Sequence, residues 1–526
     1  MKLERLHEYL ASTVAILAGV GLAVLAGQAS GEGQLKTVGI ILGVMISTTL
    51  ILLLNTRIWL LIPLCWDLTG AITFTGLPFS IHDMAIMLVL VSYTCLIALK
   101  IIRHKPPFDA LDGLILLNIV YLATVFLRNP VGLNYFDSDR VGGKPYFDIA
   151  IAFLAYQVII RAPIDLQTLR RMPLFLLIGS AVVSLVSLAV YLHPSLGDKL
   201  GQIYSTFLPP EDQSSAVVED MIGRKPALAT VGNTGMRLWN SYFPPLTFLI
   251  PLYPVRFLGF GLIMLAILFS GFRNLILSVF VFIFMSCYFR KRTRDLVVIG
   301  VIGLMALVLL SAGNNRLYSL PLSVQRALSF LPGDWDYEAK VDAENSSEWR
   351  YQIWDMVVTE DKWIRNKWLG DGFGFTKYEY SIMTSKQGFI GGAGSQEAFL
   401  IGGFYHNGVL SAIRYGGVVG LLILLPLNLL LMVRSYRAIK KSYGTPIFPI
   451  ALFVGMPVLY YLFPFTFIAG AYDNAMIDMF FSAALLKLIE RWLSEQQNAT
   501  EATNINLPEQ ETLVRPLAAP FGAFPR

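Results

Sequence analysis

The chain has 526 residues, of which 55% are hydrophobic and 15% charged, and its mean hydropathy is +0.59. Apolar runs of roughly 17–22 residues recur along it, which excludes a soluble globular domain and identifies a polytopic membrane protein. A formal charge of +5 is small for this length; it reports loop asymmetry and argues against a nucleic-acid partner.

The expected fold class is all-α, with roughly 12–14 transmembrane helices. Spans are expected at 10–28, 37–54, 57–70, 81–100, 111–128, 146–161 and 172–192. Further spans follow at 238–253, 256–271, 273–289, 295–312, 405–432, 445–463 and 468–488. The runs 57–70 and 256–271 are short enough to be half-helices or to merge with neighbours. Residues 12–27 read as a signal anchor, because no small-residue cleavage site closes them. The three cysteines, Cys65, Cys95 and Cys287, all fall in apolar runs. They offer neither a disulfide framework nor zinc spacing, and read as small core residues.

Orientation follows from the basic loops. With Lys2 and Arg5 cytoplasmic, the inner turns carry Lys100-Arg103-Lys105, Arg161 with Arg170-Arg171, Arg290-Lys291-Arg292-Arg294 and Arg434-Arg437-Lys440-Lys441, in accord with the positive-inside rule. Both termini are then cytoplasmic. The chain divides into transmembrane helices with short loops over 1–312, an extracytoplasmic module over 313–404, C-terminal transmembrane helices over 405–492 and a disordered tail over 493–526. Segments 129–145 and 193–237 also face outward.

The 313–404 segment holds five of the nine tryptophans, Trp335, Trp349, Trp354, Trp363 and Trp368, a concentration foreign to a disordered linker. Within it, NSSEWRYQIWDMVVTEDKW has a helical pattern, with Asn345 as candidate N-cap and Glu348 three residues on. Tyr351, Trp354 and Val358 would share one face. Charged residues sit mostly at the predicted span ends.

Few residues offer chemistry. His406 and Asn407 open the run YHNGVLSAIRYGGVVGLL, whose Gly416, Gly417 and Gly420 permit close helix packing. The imidazole is either a helix-end group satisfied by carbonyls or a general base, since histidine exchanges its proton near neutral pH. Arg273, in the polar break SGFRN, either snorkels to lipid phosphates or binds a substrate phosphate bidentately. Arg224 and Arg237 in the segment IGRKPALATVGNTGMRLWNSYFPP, with Arg350, would complete a cationic cleft at the outer face. The pairs Asp137/Asp139 and Asp334/Asp336 have a spacing that can hold a divalent cation, but loop carboxylates are common. Gly370, Gly372 and Gly374 in WLGDGFGF read as a turn, because no helix follows them on the dinucleotide pattern.

These pieces, in this order, resemble the bacterial O-antigen ligase and O-antigen polymerase family of polytopic membrane glycosyltransferases. The matching features are SGFRN, EWRYQIW, WLGDGFGF and YHNGVLSAIRYGGVVGLL, spanning residues 230–435. The resemblance implies a GT-C-like fold with a large extracytoplasmic helical loop, in the bacterial inner membrane. It implies an undecaprenyl-pyrophosphate-linked glycan donor, a glycan or lipid-linked acceptor, and surrounding membrane lipids and polysaccharide-assembly proteins as partners. It further implies inverting transfer with no metal and no cofactor. His406 and Asn407 become catalytic; Arg273, Arg237, Arg350 and Arg224 become pyrophosphate ligands. The chain departs from the family pattern at Arg414, where an acidic residue is common, and in the long glycine-rich stretch before His406, read as a mobile flap. Ligase and polymerase share these motifs, and exopolysaccharide assembly is the preferred setting. A transporter or flippase of lipid-linked glycans is the alternative; charged groups buried in the bundle would favour it.

Overall fold

The computed structural model describes residues 54–70, 79–102, 106–132, 140–201, 225–384 and 393–505, with isolated positions at 43, 49–51, 72 and 203–204. The expected anchor at 10–28, most of the span at 37–54, Arg224, the Asp137/Asp139 pair, the core of the glycine-rich flap and the end of the tail lie outside the described residues.

The architecture is all-α and polytopic. A 3-10 turn, Asn55–Leu60, leads into α1 (Leu61–Cys65), then α2 (Ile81–Ala98), α3 (Ala110–Arg128), α4 (Lys144–Ile159), α5 (Leu166–Leu192) and α6 (Pro194–Gly201). Next come α7 (Pro226–Tyr242), α8 (Pro254–Phe269), α9 (Arg273–Phe289), α10 (Thr293–Gly313), α11 (Leu322–Leu328) and α12 (Tyr337–Thr359). The last are α13 (Lys377–Thr384), α14 (Ala393–Ile401), α15 (Gly408–Ser442), α16 (Phe448–Tyr460) and α17 (Tyr472–Ile505). The only sheet among the described residues is the short antiparallel pair β1 (Arg140–Val141) and β2 (Phe375–Thr376). Among the described residues, six helical stretches are long and apolar enough to cross a membrane: α2, α3, α5, α10, α15 and the run Phe448–Ala469 that begins with α16. Helices α8 and α9 are apolar but shorter.

Local chemistry sets the helix starts. Ser80 caps α2 and Asp109 caps α3, each in a reciprocal box with the aspartate three residues on, Asp83 and Asp112. The span expected at 238–253 does not form. Helix α7 runs earlier, and Phe243 ends it in an extended conformation before Pro244 and Pro245, because the residue before a proline is driven out of the helical region. The polar, small-residue start of α7 hides its helical character. Gly232 and Gly235 let it lie against Ile267 and Ile263 of α8, where a Cβ would come within 2.8 and 2.9 Å of the isoleucine side chains. The expected 57–70 span is likewise only the 3-10 turn and α1.

Helices α15, α16 and α17 pack on one another at the centre, with α3 against α15 and α4 against α17. At one end of this bundle, Arg434 of α15 bridges Asp109 at 2.9 Å and Glu490 of α17. Lys487 reaches Asp109 at 3.4 Å and pairs with Asp112. Helix α17 continues through Ile505, past the point where a disordered tail is expected, because its Glu, Gln and Ala residues extend a helix already anchored by packing.

The 313–404 segment is not one unit. Val324, Ala327 and Leu328 of α11, with Trp335, join the main bundle core. A separate small core contains Ile353, Val357, Trp363, Ile364, Leu400, Ile401 and Tyr405, with Trp349 and Trp354 against it. Asn345 is no cap: it lies inside α12, which begins at Tyr337 after Asp336. The buried face of α12 also differs from expectation. Ile353 and Val357 are buried, whereas Tyr351 and Val358 are 66% and 61% exposed. Two apolar stripes overlap on this helix, and only the partner decides which one is covered.

Helix α15 is broken at Gly417, which takes φ 72° and ψ 176°. The 367–372 turn fills the break. The amides of Asp371 and Gly372 donate to the carbonyls of Arg414 and Tyr415 at 2.7 and 3.1 Å. The amides of Val418 and Val419 donate back to the carbonyls of Lys367 and Trp368 at 2.8 and 3.1 Å. Phe373 then enters the bundle between Tyr146 and Tyr415.

Candidate functional site

The chain reaches His406 through a tight reversal. Helix α14 ends at Ile401, and Gly403 turns the backbone with φ +66°. Tyr405 is fully buried, and its indole neighbour Trp354 donates to the Tyr405 carbonyl at 2.7 Å. Burial pushes the Tyr405 phenol up, with the Arg414 guanidinium opposing. His406 itself takes φ +49°, a left-handed conformation that histidine adopts more readily than most side chains. Its half-buried ring lies 5.7 Å from Trp349 and 6.4 Å from Phe399. Asn407 accepts a hydrogen bond from the Leu410 amide at 3.0 Å and so caps α15. Its carboxamide oxygen is therefore committed to the helix, and only its amide nitrogen is left to orient the imidazole. Arg350 follows Trp349 on α12 and is half-buried.

Arg414 is held by backbone and side-chain acceptors. It donates to the Trp363 carbonyl, to the Tyr405 hydroxyl at 3.0 Å and to the Ile401 carbonyl at 2.6 Å. It pins the small core beneath His406 to α15, a role that needs several donors and no acceptor. Replacing it, Arg414→Met, is expected to cost about 3–5 kcal/mol by stranding three buried acceptors. A fall in melting temperature, with faster proteolysis within 360–401, checks this. At the far side of this module, Glu379 accepts from the Thr376 amide at 2.8 Å, and Arg365 pairs with it at 3.0 Å. Burial alone would raise this carboxyl, but the Thr376 and Arg365 contacts outweigh it and hold it below the usual range.

A second group lies inside the bundle. Arg237, expected in an outer loop, is on α7, with its guanidinium 4.5 Å above the Phe453 ring and one N–H on the Phe453 carbonyl at 3.3 Å. Its Nε is buried and has no protein partner. It lines a cavity of about 450 Å³ between α7, α9, α16 and α17, together with Asp67, Asp478, Asn274 and Asn428. Asn428 is 1% exposed, and its Oδ1 has no protein partner. Ser180 donates to Asp67 from α5. Asp67 and Asp478 act electrostatically on Arg237. Arg237, Asp67 and Asp478 thus line one cavity inside the bundle. Arg237→Met should destabilise the fold by about 1–3 kcal/mol, because it strips the Phe453 carbonyl of its side-chain donor and the cavity of its cation. Adding Asp478→Asn to that variant should recover part of the loss, as read by the melting temperature of the solubilised protein.

Arg273 begins α9, next to Asn274 of the cavity wall. A cation at a helix N-terminus opposes the macrodipole, so some other demand keeps it there. The structure thus brings together Arg237 with the Arg273–Asn274 start of α9, and separately His406 and Asn407 with the Trp349–Arg350 stretch. The two groups adjoin. Tyr461 and Pro464 line the cavity, Phe465 stacks on Tyr461 at 5.8 Å, and a Cβ on Gly408 would meet the Phe465 ring at 2.3 Å. One π-helical turn, Phe465–Ala469, is the wall between them.

Sequence reasoning missed Asp67 and Asp478, and placed Arg237 outside the bundle. Asp478 was the legible clue, since it sits in an otherwise apolar span. Among the described residues, no group of three or more His, Cys, Asp or Glu side chains has the arrangement of a metal site. No protein-family model and no curated protein matches the chain.

Proposed function

We propose that this protein is a GT-C-like glycosyltransferase of the O-antigen ligase and polymerase kind. In this reading it moves a glycan from an undecaprenyl-pyrophosphate carrier to an acceptor hydroxyl at the outer face of the bacterial inner membrane, in surface polysaccharide assembly. The observation that supports it best is the adjoining of a cation-bearing cavity and a half-buried imidazole across one π-helical turn. Such turns concentrate at functional sites. His406 accepts the proton of the acceptor hydroxyl as its oxygen attacks the anomeric carbon. The bond from that carbon to the pyrophosphate oxygen breaks, and the configuration inverts. Arg273, with Arg237 and Arg350 behind it, offsets the charge that develops on the leaving pyrophosphate.

The test is reconstitution of the purified protein in proteoliposomes with carrier-linked glycan and an acceptor glycan. The expected result is a joined product with release of undecaprenyl pyrophosphate, unchanged by a chelator. Intact donor that merely crosses to the other leaflet would instead establish a flippase. That second reading is favoured by one observation, the charges of Asp67, Arg237 and Asp478 inside the bundle.

A further inference from the structure

A further cavity shares no lining residue with the Arg237 cavity. It is an apolar cleft of about 860 Å³ between α3 and α4. Leu122 and Phe126 of α3 and Phe147 and Ala150 of α4 line its length, and Arg128 and Arg140 stand at one end. Both arginines act electrostatically on the Tyr146 hydroxyl, which also lines the cleft. Their positive charges therefore converge on one spot. Arg128 is held there: its Nε donates to the Thr124 carbonyl and its Nη2 to the Leu369 carbonyl, each at 3.1 Å. Two of the five N–H groups of a guanidinium are thus used on carbonyls, which fixes the fork. The β1–β2 pairing sets the backbone of Arg140 opposite Thr376.

We infer that this cleft binds a long-chain lipid bearing a terminal phosphate or diphosphate, with the chain along α3 and α4 and the phosphate between Arg128 and Arg140. The apolar walls exclude a free nucleotide or sugar phosphate as the main occupant, because either would leave them uncovered. Charge selects among lipids. A phosphodiester headgroup carries one negative charge, whereas a terminal phosphate carries about −1.5 to −2 at neutral pH, the better match to two guanidinium groups. This rests on the transfer reading and adds to it a carrier-lipid site on α3 and α4, apart from the arginines that meet the reacting pyrophosphate. Leu369, which Arg128 holds, belongs to the turn that fills the break in α15. The headgroup site is thereby tied to the helix that His406 and Asn407 open.

The test is photolabelling of the full-length protein in nanodiscs with a diazirine-bearing polyprenyl phosphate. Labelled peptides should map to 119–126 and 147–150, and unlabelled polyprenyl phosphate should compete where phosphatidylglycerol does not. The double variant Arg128→Ala/Arg140→Ala should lose labelling about tenfold or more. Ala123→Trp, which fills the cleft from an exposed position and leaves both arginines in place, should lose it too. Equal competition by phosphatidylglycerol, unchanged labelling in both variants, or labelling confined to the Arg237 cavity would each overturn the inference. Absence of transfer by the wild-type protein, with labelling intact, would overturn the transfer reading and leave the lipid site standing.

Discussion

Gly417→Ala should abolish the accumulation of folded protein. Three independent costs meet at this residue. Its φ of 72° and ψ of 176° lie in a region open essentially to glycine, which costs another residue about 1–3 kcal/mol. A Cβ there would lie 2.2 Å from the Trp368 carbonyl oxygen and 2.5 Å from the Gly370 amide. Both are backbone atoms and cannot rotate away. Displacing the turn would also free the carbonyls of Arg414 and Tyr415 and the amides of Val418 and Val419, in a helix apolar enough to cross a membrane, where every backbone polar group needs a protein partner. Gly300→Ala on α10 is the control: its Cβ would meet nothing within 4 Å, and the change should be neutral or stabilising by up to about 1 kcal/mol. Size-exclusion profiles and melting temperatures of the two variants decide the matter; a normal profile for Gly417→Ala would mean that the break is dispensable.

The sequence carries half of this feature openly. YGGVVG is visibly a place of close approach, and WLGDGFGF is visibly a turn, but nothing local says that one is built into the other. Long-range pairing of this kind leaves no periodicity. The same limit explains α7. Its prolines announce where it stops, while its small-residue start, which is what lets it lie on α8, looks like loop composition. On α12 the helix is legible and its buried face is not, because the choice between overlapping stripes is made by Leu400 and Tyr405, far along the chain. The long apolar helices were legible because length and composition alone define them. Arg414 was noticed as an oddity, and its use became visible only with the carbonyls of Ile401 and Trp363 around it. The interior acids are not legible from hydropathy, because a single carboxylate in an apolar run is outvoted in any window average, whereas in the fold it lines one cavity with Arg237.

His406→Ala should lower glycan transfer by about 10²–10⁴-fold, the range for loss of a general base, and should leave the carrier labelling of the α3–α4 cleft intact. A structural role predicts the opposite pattern, so the choice of control matters. Alanine at φ +49° carries a backbone penalty of its own, so a loss of activity in that variant alone does not separate lost chemistry from a disturbed start to α15. His406→Asn removes that ambiguity, because asparagine tolerates the left-handed region yet cannot serve as a base. The Asn407 cap on Leu410 and the packing of Tyr405 against Trp354 and Arg414 do not involve the imidazole. His406→Asn should therefore keep the left-handed backbone and the α15 cap while losing transfer to the same extent as His406→Ala. Turnover at the wild-type rate in His406→Asn would remove the residue from the chemistry and leave it a structural role, to which its ring contacts with Trp349 and Phe399 belong. A shared loss in both variants, with unchanged melting and unchanged carrier labelling, assigns the deficit to proton transfer, because neither the fold nor the donor lipid has moved.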